Sequence, residues 1–382
     1  MSTLLQAHRQ WATRPQDQRF ETLDALAESV NNRRTRSRSV DVDGSAVTAK
    51  IAEGTIVLNR GFNSVEPSHW SFGQLSGWLK APAAYLRTLP PELAVSCLNN
   101  GLQAQAKEIG SLKFMAVTED DKPINTLQAV TSTTYGRIWD ADVVAGAKRL
   151  VERSGGRFYN PKAYGHRDGA TPDGFKTLDS SVKKPSGLYA SDRDCFLFMI
   201  DGGSILDVGP RAQLNRGFIL WNSEVGSRTF GLMTFLFNTC CGNHMIFGAK
   251  EVNQLIIRHT ANGPARFDSE ATPALLAYCN ESARPLEAQV RKAQETLIAP
   301  VRATKPEELF VQVNDFAGKY AKFTKGEIRS GIDFAKAEEG DCRTVWQLVQ
   351  GLTAYARGFD WIDARVDLES RAGRLMQAVS LN

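Results

Sequence analysis

Four apolar runs between residues 195 and 260 constrain this chain more than any other feature: "CFLFMI", "GFILWN", "MTFLFNT" and "NQLIIRHT". Each is short, bounded by turn-forming residues, and rich in aromatic and β-branched side chains, so each reads as a strand. After about residue 270 the pattern changes to helical spacing, in "PALLAYCNESARPLEAQVRKAQETL", "PEELFVQVNDFAGKY" and "TVWQLVQGLTAYARGF". Strands followed by a run of helices predict an α+β fold: a central, mostly antiparallel sheet with helices packed on it, then a helical C-terminal part.

Upstream, Leu23, Leu26 and Val30 share a helical face, and "NNRRTRSRSV" follows with Arg33, Arg34, Arg36 and Arg38 and no acid. Asp43-Gly44, set between alternating apolar residues, predicts a hairpin. Between 68 and 106, Ser71 is placed to cap a helix carrying Phe72, Leu75 and Leu79. Pro82 opens a second helix and Pro90-Pro91 precedes a third. Two short joined helices have the outline of a helix-turn-helix, but their apolar spacing suits a cap over a neighbouring sheet better.

"LKFMAV", "EDDKP" and "INTLQAVTS" then read as a hairpin, and "DADVVAGAKRLVERSGG" as a helix capped at Asp140. Residues 160 to 190 form a long Gly-, Pro-, Asp- and Lys-rich stretch without periodicity. The expected division is 1–60 (helix, basic segment, hairpin), 61–265 (central α+β domain) and 266–382 (helical region).

Several chemistries find no support. No glycine-rich turn leads into Lys-Ser/Thr, and no G-x-G-x-x-G follows a strand, so the common nucleotide cradles are missing and no cofactor is expected. Cys240 and Cys241 with His244 resemble metal ligands, but adjacent cysteines on a strand point to opposite faces. The six cysteines follow no disulfide or zinc spacing, so reduced thiols and no metal are expected. Cys241 with His259 is an arithmetical nucleophile–base pair with no motif around it. Glu224, in "NSEVGS" after an apolar strand, is the most conspicuous acid. It can pair with Arg258, join Asp192, Asp194, Asp201 and Asp207 at a metal, or cap a turn; the last, structural role fits best.

The charge balance is 46 Lys and Arg against 42 acids, a net charge of +4, which names no partner by itself. Basic residues do gather locally: Arg33, Arg34, Arg36 and Arg38, then Lys162, His166, Arg167, Lys176, Lys183 and Lys184. Tyr159, Tyr164, Phe175 and Tyr189 interleave with the second group, as stacking platforms do among phosphate-binding cations. No stretch approaches the roughly 20 apolar residues of a membrane span, and the first residues lack the apolar core of a secretory leader. A cytoplasmic protein is expected.

The blocks "GFILWNSEVGS", Cys-Gly-Asn and "IIRHT" resemble the signature of a phage- and plasmid-associated family of uncharacterised proteins, domain of unknown function 932. Its Asn-Ser-Glu-x-Gly turn, Cys-x-Asn-Gly-like turn and Arg-His-Thr strand end fall on Asn222, Ser223, Glu224 and Gly226, on Cys241 and Asn243, and on Arg258, His259 and Thr260. Here the second turn reads "CCGNHM", with glycine before Asn243. "FGQLSGWLKAPAAYLRTLPPELAVSCLNNGL" and "TVWQLVQGLTAYARG" are similar to the family's flanking helices, so the likeness runs from about residue 60 to 360.

The resemblance implies a setting in mobile DNA. With the basic, aromatic stretch, it leads to the expectation of a non-enzymatic, homo-oligomeric protein that binds single-stranded DNA in annealing or recombination. The alternatives are an interaction module that inhibits a host defence or restriction protein and, more weakly, a metal-dependent nuclease.

Overall fold

The computed structural model describes residues 18–20, 22–60, 63–159, 187–209, 213–238, 243–245, 254–280, 284–299, 305–359 and 362–379. The chain begins with β1 (Arg19–Phe20), α1 (Leu23–Arg36), β2 (Ser37–Asp43), β3 (Val47–Ala52), β4 (Thr55–Arg60) and β5 (Asn63–Pro67). Three helices follow, α2 (His69–Trp78), α3 (Ala83–Leu86) and α4 (Pro91–Ile109), and then β6 (Ser111–Val117) and β7 (Asn125–Ser132). Strands β2 to β7 form one six-stranded sheet in the order β2-β6-β7-β5-β4-β3, antiparallel except where β5 meets β7.

The expected hairpin at Asp43-Gly44 is not one. β2 and β3 stand at opposite ends of the strand order, joined only by a 3-10 turn over Gly44–Ala46. Asp43 caps that turn by accepting from the Ser45 amide (2.9 Å). Capping is the other thing an Asp does best, and Gly44 is not among the glycines at positive φ that a type I′ turn requires. Six strands laid flat would separate their edges by about 24 Å, whereas three linking residues reach about 14 Å at most. The sheet therefore curls until its edges meet at this turn. The hairpin lies one strand later, between β3 and β4, where Glu53 (φ 50) and Gly54 (φ 77) supply the left-handed pair.

Helices α2 to α4 cover one face of this sheet. Phe72, Leu75, Leu79, Leu86, Leu98 and Leu102 pack on Val42, Leu58, Phe114, Leu127 and Val130, so the helices form a cap over the sheet. The cap of α2 is Ser68, not Ser71: Ser68 accepts from the Ser71 amide, and the buried Ser71 hydroxyl donates to the Leu127 carbonyl (2.6 Å). Asn99 of α4 bonds both the amide and the carbonyl of Ala49 on edge strand β3, occupying that position as a neighbouring strand would.

The second half contributes α5 (Asp140–Arg153), β8 (Phe158–Tyr159), β9 (Leu188–Ala190), β10 (Cys195–Asp207), β11 (Gln213–Asn222), β12 (Phe230–Asn238), β13 (Asn243–Met245) and β14 (Gln254–Ile257). They form an antiparallel sheet in the order β1-β9-β10-β11-β12-β13, with β14 on β12 and β8 on β10. Along β10 the faces alternate. Cys195, Leu197 and Met199 pack with Leu26, Val30, Val144 and Ala147 of α1 and α5, while Phe196, Phe198 and Ile200 join Ile219, Phe235 and Phe237 on the other side. Both faces are covered, which is why these strands read as unbroken apolar runs.

Next come α6 (Gly263–Arg266), a π turn over Phe267–Ala271 and α7 (Thr272–Asn280), then α8 (Arg284–Glu295), α9 (Pro306–Gly318), α10 (Lys325–Glu339), α11 (Val345–Arg357) and α12 (Ile362–Arg374). Capping boxes start α10 and α11, at Thr324/Glu327 and Thr344/Gln347. These two helices cross closely: a Cβ at Gly351 would lie 2.0 Å from the Gly331 carbonyl. The bundle buries Leu206, Val208, Leu214 and Leu236 at one end of the larger sheet.

The α+β class therefore holds, with the strands divided between two sheets. The boundary expected at 60/61 runs between β4 and β5, which pair within one sheet. No helix among the described residues is long and apolar enough to cross a membrane.

Candidate functional site at the junction of the sheets

The turn that leaves β11, residues 222 to 227, reaches out of its own sheet and docks on the other. Val225 is buried against Met115, Val117 and Ala129 on the face of the six-stranded sheet opposite its helices, with Trp70 and Trp139 beside it. Its carbonyl accepts from the Trp70 indole (3.0 Å) and the Gln74 amide (2.8 Å), and Gln74 also accepts from the Val130 amide (2.9 Å). The Tyr135 hydroxyl donates to the Ser223 carbonyl (3.1 Å), and Arg137 donates to the Glu224 carbonyl. Gly226 sits at φ +81, a conformation other residues resist.

The side chains of the turn bind a segment more than 80 residues away in sequence. Asn222 donates to the Ile138 carbonyl (2.8 Å) and the Asp140 carboxylate (2.7 Å). Ser223 acts locally, accepting from the Ser227 amide (2.9 Å). Glu224 accepts from the Asp140 amide (2.9 Å) in the first turn of α5. That helix starts at Trp139 with no side-chain cap, so Glu224 serves as its cap from across the junction, the role expected of Asp140. Arg258 is exposed and not the partner of Glu224; the basic groups facing the acid are Arg33, Arg137 and Arg34.

His259 closes the other side. Its ring stacks on Tyr135 (centroids 5.1 Å, planes 13° apart), with Nδ1 3.3 Å from the Gly136 carbonyl. Chains pass so closely here that a Cβ on Gly136 would lie 1.9 Å from the Thr260 carbonyl. The motif residues Asn222, Ser223, Glu224, Gly226 and His259 thus converge on "YGRIWD", residues 135–140. Cys241 lies outside the described residues, and Asn243 pairs with Asn238 at the start of β13.

Burial dominates the electrostatics. It pushes the carboxyl groups of Asp140 and Glu224 up, and for Asp140 the neighbouring Glu224 adds to the rise. Arg33, the Asp140 amide and Arg137 oppose the rise at Glu224. Burial also lowers His259 to about 4, so its ring is neutral at physiological pH, and raises the Tyr135 phenol. Glu224 Oε2, Asn222 Oδ1 and Arg137 Nη2 are closed off without a hydrogen-bond partner. Clefts of about 580 and 370 Å³ border the junction, the first beside Arg33 and the second between Trp78 and Tyr135, yet neither acid lines them. With its acids sealed and its histidine neutral, the arrangement is built to hold two sheets together.

Of the remaining acids, Asp194 lies near enough to Asp140 to add to the rise of its pKa, yet each is taken up separately. Asp194 pairs with Arg228 (3.4 Å) and Asp201 with Arg157 (2.7 Å), while Asp192 is exposed. Among the described residues no three His, Cys, Asp or Glu side chains converge as metal ligands. Cys195 and Cys342 are buried thiols, Cys342 pushed by burial to about 12, and Cys97 is exposed.

The arginine run is likewise broken up by structure. Arg33, Arg34 and Arg36 occupy the last turn of α1, where cations oppose the helix dipole. Arg33 donates to the Ser191 and Asp192 carbonyls, Arg34 pairs with Asp142, and Arg36 meets Asp120 at 3.0 Å. Only Arg38, exposed on β2, has no partner among the described residues. Lys162, Tyr164, His166, Arg167, Lys176, Lys183 and Lys184 lie outside them. Of the aromatics that flank that stretch, Tyr159 is exposed and Tyr189 is buried in the aromatic core.

Comparison of the chain with models of protein families, with curated proteins and with solved structures found no match.

Proposed function

We propose that this is a non-enzymatic, mobile-element protein of the family its motifs resemble, which binds single-stranded DNA in annealing or recombination as a cytoplasmic homo-oligomer. The observation that carries the reading is how residues 160–186 are attached. They leave the sheet at Tyr159, opposite Ile200 of β10, and return at Leu188, opposite Leu197. Three residues of one strand, about 10 Å, separate the two ends. One strand of the sheet, β10, thus anchors both ends of a stretch in which Lys162, Arg167, Lys176, Lys183 and Lys184 outnumber Asp168, Asp173 and Asp179, with Tyr164 and Phe175 among them. Segments anchored this way carry function more often than the scaffold does, and cations interleaved with aromatics suit a nucleic-acid backbone and its bases.

Binding of a fluorescent oligothymidylate across a salt series tests the reading. Affinity falls steeply with salt, and Lys183→Ala with Lys184→Ala lowers the log–log slope by about 0.7 per lost contact. No binding at low salt would overturn it. The second reading, an interaction module aimed at a host defence protein, is favoured by Tyr85 and Leu93, apolar side chains 59% and 54% exposed on α3 and α4. It becomes the better account if a host protein binds that face and DNA does not.

A further inference from the structure

At the rim of the junction, two arginines gather on one histidine, with Asp192 as the acid that acts on it. Arg87, just past α3, donates to the His69 carbonyl (2.7 Å), and Arg193 lies 3.2 Å from His69 Nδ1. Two guanidinium groups therefore touch one residue from two directions, and among the described residues neither is paired with a carboxylate. Each rests on an aromatic ring, Arg87 over Phe72 (5.1 Å) and Arg193 over Trp70 (5.5 Å), so their positions are set by packing. Arg193 Nε is buried without a partner.

The backbone is set as firmly. Ser191 Oγ accepts from the Arg193 amide (3.1 Å), and the Ser227 hydroxyl donates to the Arg193 carbonyl (3.0 Å). His69 opens α2, whose Ser68 cap satisfies only the Ser71 amide, so the first-turn amides of His69 and Trp70 add to the positive field. Holding like charges together in this way raises the free energy of the empty cluster, and a bound anion removes that cost.

We propose that Arg87, His69, Arg193 and the first turn of α2 form a phosphate-binding seat, which takes either a backbone phosphate of the DNA or a small phosphate compound. The first source rests on the single-strand reading; the second does not. The chemistry favours phosphate because two planar guanidinium forks and helix amides match its tetrahedral oxygens. His69 reports on occupancy. Burial and the two arginines hold its pKa down, with Asp192 as the one opposing charge, so a bound dianion should raise it.

The test follows His69 ring signals by NMR during titration with inorganic phosphate and, separately, with a short oligothymidylate. His69→Gln identifies the signals. Saturable shifts with phosphate and a higher His69 pKa are expected, weakened about tenfold in Arg87→Gln/Arg193→Gln. Arg87→Lys/Arg193→Lys keeps the charge and distinguishes lost binding from lost fold, with thermal melts of both variants alongside.

If the oligonucleotide also shifts His69 and competes with phosphate, the seat takes a backbone phosphate. If phosphate shifts His69 while the oligonucleotide binds nowhere, the seat stands with a small ligand and the single-strand reading fails. If the oligonucleotide binds parent and double variant alike and phosphate leaves His69 unmoved, the seat is overturned and the single-strand reading survives.

Discussion

Two turns of the larger sheet meet the smaller one, and they treat charge in opposite ways. The turn at 222–227 buries Glu224 and spends its hydrogen bonds on Asp140, Ile138 and Ser227. The turn at 191–194 keeps the Arg193 guanidinium near solvent, beside Arg87. They are linked, because Ser227 of the first holds the Arg193 carbonyl of the second. Charge buried among fixed hydrogen bonds holds geometry; charge that reaches solvent without a carboxylate partner is available to a ligand.

The largest effect should come from breaking the buried side. Glu224→Ala removes the acceptor that caps α5 and leaves the buried Asp140 amide without its charged partner, at a cost of roughly 1.5–3 kcal/mol in urea unfolding. A variant that unfolds like the parent would refute the clasp. Gly136→Ala, which must push the Thr260 carbonyl away, is expected to cost roughly 1–3 kcal/mol by the same measurement.

Asp140 sharpens the contrast through pH. Its folded pKa lies above the unfolded value, so the folded state binds more protons and stability falls as pH rises through that window. Asp140→Asn keeps the Asn222 bond and removes the charge. It should be the more stable protein at neutral pH, because the charge that burial and Glu224 disfavour is gone. His259 runs the other way: held down at about 4, it contributes stability that is lost as pH falls below its ordinary 6.5. Melting curves from pH 4 to 9 on Asp140→Asn and His259→Gln check both slopes. If the parent is already most stable at high pH and Asp140→Asn melts below it there, the assignment of Asp140 is wrong.

How much of this was legible depends on the range of the interaction. The strands from 195 to 238 could be read because their apolar runs are local. "NSEVGS" stood out because Asn, Ser, Glu and Gly after a strand is a local turn signal. Its partner "YGRIWD" did not, since Tyr135, Arg137 and Asp140 acquire their roles only through contacts across some 80 residues of chain, which no period encodes. Asp43-Gly44 misled because Asp both turns a hairpin and caps a helix, and here the cap won. The four arginines looked like one patch because they are adjacent in sequence, but a helix turns about 100° per residue and sends neighbours to different surroundings.

That dispersal makes the smallest prediction the most discriminating. Arg34 is a half-exposed ion pair with Asp142, so Arg34→Ala should cost no more than about 1 kcal/mol and leave the salt dependence of DNA binding unchanged. Arg38 has no partner to lose, so Arg38→Ala should leave stability within about 0.5 kcal/mol of the parent. If Arg38 borders the bound strand, its loss lowers the salt slope by about 0.7. Equal slopes in Arg38→Ala and the parent would remove the arginine run from the binding surface altogether. The affinity would then rest on residues 160–186 and on Arg87 and Arg193.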